Sequence, residues 1–322
     1  MPYFLGIDGG GTKTMCAVGD ERQVLATATA GPSNIVRVGE QQARESLHQA
    51  VRQACAAAGI IPANVAHTCI GGSGAARPEL ADTVRKMLAE ILPSPVAVVG
   101  DMEIALEAAF GDGPGVIVIA GTGSIAYGRN AQGQTARAGG WGFAIGDEGS
   151  AHWIGRAAVN AVLRAADASA PDSTGRTAFE SSRFVAALEH AWKENSLSDL
   201  ARRANAVPPP DFSALFPVVA ASNDDLATQV LSKAGQELAT IAAVVIRRLF
   251  TADKTQSAPA AMIPVAVIPV AMIGGVFRHA ALVRQIFYNE LRAADARVEI
   301  QEQIVEPVEG ALRLARRSAE PK

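Results

Sequence analysis

Three runs decide how the chain is read: Val96-Ala97-Val98-Val99-Gly100-Asp101, then Val116-Ile117-Val118-Ile119-Ala120-Gly121-Thr122-Gly123-Ser124, then Gly139-Gly140-Trp141-Gly142-Phe143-Ala144-Ile145-Gly146-Asp147-Glu148-Gly149-Ser150. The first is β-branched and ends on a carboxylate, and Ile104, Ala105, Ala108 and Ala109 continue it at helical spacing, so Asp101 falls at the carboxyl end of a strand. The second is a continuous apolar strand that breaks into a Gly-Thr-Gly-Ser turn. The third is too rich in glycine for a helix and too long for a tight turn. A strand-end carboxylate, a phosphate-sized turn and a glycine-rich loop, so close in sequence, have the character of an active site.

Upstream, residues 3–7 form an apolar strand, Asp8-Gly9-Gly10-Gly11-Thr12-Lys13-Thr14 a turn, residues 15–18 a second strand and 24–29 a third. A glycine-rich hairpin turn leaves backbone N–H groups free to face an anion, and it equally reads as a plain hairpin. Ala43, Leu47, Ala50, Val51 and Ala54 mark an amphipathic helix, residues 65–70 a strand, and Leu80, Val84, Met87, Leu88 and Ile91 a helix opened by Pro78. This alternation predicts an α/β lobe with ligands at the carboxyl ends of its strands. Gly71-Gly72-Ser73-Gly74 reads as a tight strand-to-helix turn; as a nucleophile elbow it lacks the last glycine, replaced by Ala75.

Downstream, residues 151–165 and 184–192 read as helices and 168–177 as a surface loop. Pro208-Pro209-Pro210 breaks the chain before a long helix with Leu226, Val230, Ala234, Leu238, Ile241, Val245 and Leu249 on one face. The apolar segment 258–276 contains Pro259, Pro264 and Pro269, which argues for buried strands and against a membrane span. The strand 270–273 ends at Gly274-Gly275, followed by a helix through Leu282, Val283, Ile286 and Leu291, and residues 309–317 form a short helix after Pro307. No fixed-period repeat is visible, although both halves open with a strand and a glycine-rich turn.

Composition bounds the function. The 322 residues are 49% hydrophobic and 19% charged, enough for two cores, and aromatics are only 5%. A net charge of -3 and a pI near 6.0 give no basic surface for nucleic acid and no polybasic membrane anchor. The first residues lack the pattern of a signal peptide, and Cys16, Cys55 and Cys69 have no metal-like spacing, so a reducing cytoplasm is expected. His48, His67, His152, His190 and His279 are isolated. No lysine follows a glycine, and no Gly-x-Gly-x-x-Gly follows a strand, which sets aside the Walker and dinucleotide-binding loops. Glycine-rich turns with Asp8, Asp101 and Asp147 remain. Phosphoryl transfer needs that inventory: backbone donors for phosphates, a carboxylate for hydrated magnesium, and another for the attacking hydroxyl.

The order Asp8-Gly9-Gly10-Gly11-Thr12, Asp101, Gly121-Thr122-Gly123-Ser124, then Gly274-Gly275, resembles the sugar kinase, heat-shock and actin ATPase superfamily. Within it, Gly139-Gly140-Trp141-Gly142 with Gly146-Asp147-Glu148-Gly149-Ser150 is similar to the N-acetylglucosamine kinases, grouped with the BadF/BadG-type ATPases. The resemblance runs from Asp8 to Gly310-Ala311-Leu312. It implies an α/β, two-lobed actin-like ATPase (ribonuclease H-like) fold with its active site in the interlobe cleft. One lobe would be residues 1–113, completed by a helix over 306–318, and the other residues 114–305.

The resemblance further implies ATP and Mg2+ as cofactors and a small-molecule sugar as substrate, phosphorylated on its 6-hydroxyl. Asp8 would hold magnesium through water, while Gly10, Gly11 and Thr12 face the β- and γ-phosphates. Thr122 and Gly123 would form the second phosphate turn, and Gly274 and Gly275 would lie against adenosine. Asn34, Asp101, Trp141, Gly142 and Asp147 would line the sugar, with Asp101 as the catalytic base. Glu148 would assist sugar binding or cap the next helix. Ile125 and Met102-Glu103 depart from the family pattern and bear on sugar selectivity. Trp141-Gly142 and Asp147-Glu148 favour N-acetylglucosamine over glucosamine, with N-acetylmuramic acid a further alternative. Kinases of this branch are often dimers, so a homodimer is expected. The energy-coupling ATPases of reductases and dehydratases carry cluster-ligating cysteines after the phosphate loops, and this chain has none beyond Cys69.

Overall fold

The computed structural model describes residues 2–72, 77–169, 182–250 and 267–319. The chain divides into two compact units, Met1–Gly113 with Val305–Lys322, and Pro114–Ile304. In the first, β1 (Tyr3–Gly9), β2 (Thr14–Gly19) and β3 (Val24–Ala30) form an antiparallel meander, followed by α1 (Ile35–Ala57), β4 (Val65–Gly72), α2 (Pro78–Ala89), β5 (Val96–Gly100) and α3 (Asp101–Phe110). The sheet order is β3-β2-β1-β4-β5, with β4 parallel to both β1 and β5. Alternation buries both faces of β1. Leu5 and Ile7 join Leu47, Val51, Met87 and Leu88 of the two covering helices, whereas Phe4 joins Ile104 on the other face.

In the second unit β6 (Gly115–Ala120), β7 (Ser124–Arg129) and β8 (Thr135–Gly139) repeat the meander. There follow α4 (Ala151–Ala168), α5 (Arg183–Trp192), α6 (Leu197–Ala204), α7 (Phe216–Ala221), α8 (Asp225–Leu249), β9 (Ile268–Ile273), α9 (Gly275–His279), α10 (Ala281–Ala294) and β10 (Val298–Val305). The order β10-β9-β6-β7-β8 repeats the connectivity of the first sheet. The chain is thus a duplication in topology that leaves no period in sequence. Its larger core gathers Val116, Val118, Ile154, Leu238, Val245 and Phe287.

The last helix, α11 (Pro307–Arg317), packs in the first unit. It lies flat on α3 and β1 because glycine stands at both crossings. A Cβ on Gly310 would collide with the Ile104 carbonyl oxygen, and one on Gly6 with the Leu312 backbone. Arg317 pairs with Glu107 and Asp112, both at 2.7 Å, and Arg313 donates to the Glu107 and Ala108 carbonyls. These contacts fix α3, whose first residue is Asp101.

Several elements differ from the sequence expectation. The turn between the first strands is only residues 10–13, because Asp8, Gly9 and Thr14 pair across the ladder. Strands β7, β8 and β10 were not anticipated: β7 and β8 are short and rich in small residues, and cross-strand pairing and packing form them where propensity does not. Helices α6 and α7 also interrupt the stretch before α8, and α9 follows Gly274 directly. Ala168 closes α4, while 170–177 of the expected surface loop, 258–266 of the apolar segment, and Ser73 and Gly74 lie outside the described residues.

Gly310→Ala should destabilise the protein by about 1–3 kcal/mol or more, since the added methyl meets rigid backbone. The urea midpoint measures this, and an unchanged midpoint would contradict the close crossing.

Candidate active site

β1 delivers Asp8 to its carboxyl end, where Gly10 N donates to Lys13 O at 3.0 Å and closes the turn. Gly10 is needed there, because a Cβ would sit 2.8 Å from the Lys13 carbonyl oxygen. The Gly10 carbonyl accepts from Ser33 N (3.1 Å) and Asn34 N (3.3 Å), tying the turn to the start of α1. Asn34 caps that helix, its Oδ1 accepting from Arg37 N at 3.3 Å. Thr14, which the sequence places in the turn, is fully buried; its hydroxyl lies 2.7 Å from both the Gly31 carbonyl and the Ser33 hydroxyl, an internal role.

Asp101 opens α3 immediately after β5, with Oδ1 accepting from Met102 N at 3.0 Å. Glu103 reaches back to accept from Gly100 N at 3.2 Å, so the acidic residue that departs from the family pattern caps the helix carrying Asp101. Burial raises the Asp101 carboxyl, opposed by the bonds from the helix amides. Burial first, then the charge of Asp101, push the Asp8 carboxyl up to about 6; Lys13 pulls it down and Glu306 adds to the rise. Asp8 and Asp101 are therefore electrostatic neighbours.

In the second unit the Gly121–Ser124 turn closes through Gly121 N to Gly123 O at 2.9 Å. The first amides of α4 donate into it, Ala151 N to Gly121 O at 2.8 Å and His152 N to Thr122 O at 3.4 Å. Asp147, at φ 58°, places Oδ1 on Gly142 N at 3.1 Å and also accepts from Ser124 N. Its Oδ2 lies 2.6 Å from where a Gly123 Cβ would be, so glycine is required. Burial raises its carboxyl against these backbone bonds. Ser150, with its hydroxyl accepting from Trp153 N at 3.1 Å, caps α4, which removes the capping role considered for Glu148; the Glu148 carbonyl instead accepts from Ser124 Oγ at 2.7 Å. Gly274, at φ 103°, presses against the Ala120 carbonyl and brings the start of α9 beside the phosphate-sized turn.

Trp141 is 67% exposed, with Arg137 over its ring at 5.0 Å, and Phe143 and Ile145 are exposed beside it. Ile125 explains the glycine at 140: a Cβ there would sit 2.6 Å from Ile125 Cδ1. The structure thus joins Asp8, Gly10, Gly11, Asn34 and Asp101 in one unit, and Gly123, Gly142, Asp147 and Gly274 in the other. One residue missed by sequence is Arg37, whose Nη1 lies 3.4 Å from the position a Gly11 Cβ would take. An arginine within a helical pattern reads as a solvated face, so no sequence signal marked it.

The sequence profile of the BadF/BadG/BcrA/BcrD ATPase family matches residues 5–315. The chain belongs to this family. An N-acetylmuramic acid/N-acetylglucosamine kinase of Clostridium acetobutylicum is 39% identical over 169 residues, covering 52% of this chain and 55% of that protein. An N-acetyl-D-glucosamine kinase of Dictyostelium discoideum is 34% identical over 182 residues, 53% of this chain and 57% of that protein. The chain spans just over half the length of these curated relatives. A solved structure from Chromobacterium violaceum, described as a candidate N-acetylglucosamine kinase, superposes with a TM-score of 0.71 at 25% identity, covering 98% of this chain and 99% of that one. The ROK family glucokinase of Streptomyces griseus shares the fold, with a TM-score of 0.60 at 15% identity over 98% of this chain and 99% of that one. The fold is that of the actin-like ATPases, with two five-stranded sheets.

Membership of an ATPase family brings ATP, and with it the question of a metal. Among the described residues no three His, Cys, Asp or Glu side chains converge closely enough to hold an ion. The Asp8 carboxylate makes no hydrogen bond among them and sits in a field of other carboxylates. Such a group fits a hydrated magnesium carried in on the nucleotide, rather than a protein-built cage. Among the described residues no helix is long and apolar enough to cross a membrane.

The raised Asp8 carboxyl means that the folded chain holds this proton more tightly than the unfolded one. Its contribution therefore favours folding at low pH and is lost as pH rises from 3.8 through about 6. In protein free of metal and nucleotide, Asp8→Asn should raise stability at pH 7.5, on the order of 1–3 kcal/mol, with the gain vanishing near the ordinary carboxylate range. Denaturation at both pH values checks this, and a less stable variant at pH 7.5 would contradict it.

Proposed function

We propose that the protein is an ATP- and magnesium-dependent kinase of N-acetylhexosamines that phosphorylates the 6-hydroxyl of N-acetylglucosamine. The observation that carries the reading is Asp101: a carboxylate at the end of the edge strand β5, raised by burial, beside a second strand-end carboxylate and a glycine turn. In the reaction the sugar 6-oxygen attacks the γ-phosphorus, the bond to the β–γ bridging oxygen breaks, and the hydroxyl proton passes to Asp101. Because such transition states are loose, alignment of the hydroxyl by Asp101 contributes alongside proton removal.

Asn34, Trp141, Gly142 and Asp147 would hold the sugar, and Thr122, Gly123, Gly10, Gly11 and Thr12 would offer backbone donors to the phosphates. Gly274 and Gly275 would take the adenosine. Magnesium, held by Asp8 through water, would neutralise charge on the β- and γ-phosphates. The names of both curated relatives support an amino-sugar acceptor. The cysteines weigh against the coupling-ATPase alternative: Cys16, Cys55 and Cys69 are buried, and burial pushes all three thiols up, whereas cluster ligation needs thiolates.

ADP release with magnesium-ATP should be strongly stimulated by N-acetylglucosamine and weakly by glucose, with glucosamine and N-acetylmuramic acid as the discriminating acceptors. Hydrolysis indifferent to sugar would refute the kinase reading. Asp101→Asn should lower kcat about a hundredfold or more without loss of fold. Since the base must be ionised and its carboxyl is raised, the acid limb of the kcat/KM profile should lie above 3.8.

A further inference from the structure

Two features place Arg37 beside the phosphate turn of the proposed reaction. Its guanidinium lies against Gly11, with Nη1 and Cδ at 3.4 and 3.5 Å from the position of a Gly11 Cβ. Its backbone amide is bonded to the Asn34 side chain, and Asn34 is the residue read as facing the sugar. Arg37 thus has its backbone on the turn capped by Asn34 and its guanidinium at the phosphate turn.

The local backbone fixes this position. Asn34 caps the first turn of α1, and Gly39, at φ 79°, breaks the helix immediately after it, so residues 35–38 form a separate turn held to the hairpin through the Gly10 carbonyl. The carboxylates here are Asp8, Asp101 and Glu306, and Lys13 is the cation that opposes them at Asp8. A guanidinium on the turn adds a fixed positive charge with planar, multiple donors, suited to phosphoryl oxygens in a way that a lysine ammonium is not.

We infer that Arg37 is a catalytic residue that contacts the γ-phosphoryl group of ATP and stabilises its charge as it moves to the sugar oxygen. The inference rests on the amino-sugar kinase reading and deepens it. Arg37 takes no proton and forms no bond to phosphorus; the proton still leaves to Asp101 and ADP departs on the other side. Its contribution is largest when the equatorial oxygens of the transferring group carry the most charge.

The test compares the full-length wild-type protein with Arg37→Gln and Arg37→Lys. Titration calorimetry measures binding of magnesium-ADP and of a non-hydrolysable magnesium-ATP analogue, and steady-state assays measure phosphorylation of N-acetylglucosamine. Arg37→Gln should lower kcat about a hundredfold or more and weaken the ATP analogue about tenfold, while ADP changes by less than about twofold. Arg37→Lys should fall between, since it keeps the charge and loses the fork. Equal weakening of ADP and the analogue, or kcat within about threefold of wild type, would overturn the assignment. If Arg37→Gln fails to fold, Arg37→Lys carries the same comparison. A wild-type protein that binds the analogue but phosphorylates no sugar would defeat the kinase reading, and the inference with it.

Discussion

The structure of the first unit depends on holding two carboxylates, Asp8 and Asp101, at the carboxyl ends of buried strands without an ion pair for either among the described residues. Burial raises both, and the charge of Asp101 adds to the rise at Asp8. Strand β4 separates them, so their backbones stand two ladder spacings apart, about 10 Å. That gap suits a hydroxyl and a hydrated phosphate better than a direct contact. β4 ends in glycines, and a Cβ on Gly71 would collide with Ile104, so the glycine lets α3 settle over the sheet. The rest of the unit holds the arrangement rigid: α11 is packed backbone to backbone on α3 and clipped by Arg317 to Glu107 and Asp112. Local electrostatic cost is thereby borne by packing elsewhere, the usual condition for a strained functional site.

In the second unit the glycine-rich loop is tight where it meets the phosphate-sized turn and open at its tip. Asp147 reaches both Gly142 and Ser124, and the first amides of α4 bond Gly121 and Thr122. The His152 ring packs between Phe143 and Phe212 at centroid distances of 4.9 and 5.2 Å, adding a second brace. Trp141 and Ile145 remain outside, 67% and 82% exposed. Large apolar side chains on a braced loop are consistent with a surface that gains its contacts from a ligand. The Asp147 carboxylate, by contrast, has two backbone partners of its own, so any sugar contact it makes is added to a bracing role.

Most of the fold was legible because its signals are local. Asp101 after a β-branched run, the amphipathic faces of α1 and α8, and the glycine turns after β1 and β6 each declare themselves within a few residues. What was hidden depends on distant partners. Ser124-Ile125-Ala126-Tyr127-Gly128-Arg129 has no strand pattern of its own, and becomes β7 only against β6 and β8. Thr14 reads as part of the first turn, yet it pairs in β2 and its hydroxyl is taken by Gly31 and Ser33. Arg37 carries no signal of its own; its place beside Gly11 follows from the cap at Asn34 and the break at Gly39, which set its turn apart from the rest of α1. In each case the deciding contact lies outside the window that periodicity can read.

The two meanders also show how the duplication divided its chemistry. The end of β1 carries Ile7-Asp8-Gly9, whereas the end of β6 and the first residue of its turn are Ile119-Ala120-Gly121. The second copy therefore lacks the buried strand-end carboxylate of the first. Ala120 is fully buried, and its carbonyl is pressed by Gly274; a carboxylate there would be desolvated. The acid of the second unit comes instead from Asp147, on a loop where backbone amides stabilise it. One turn carries a buried carboxylate, and the other offers only backbone groups, so the second adds no like charge to the desolvation cost that the first already bears.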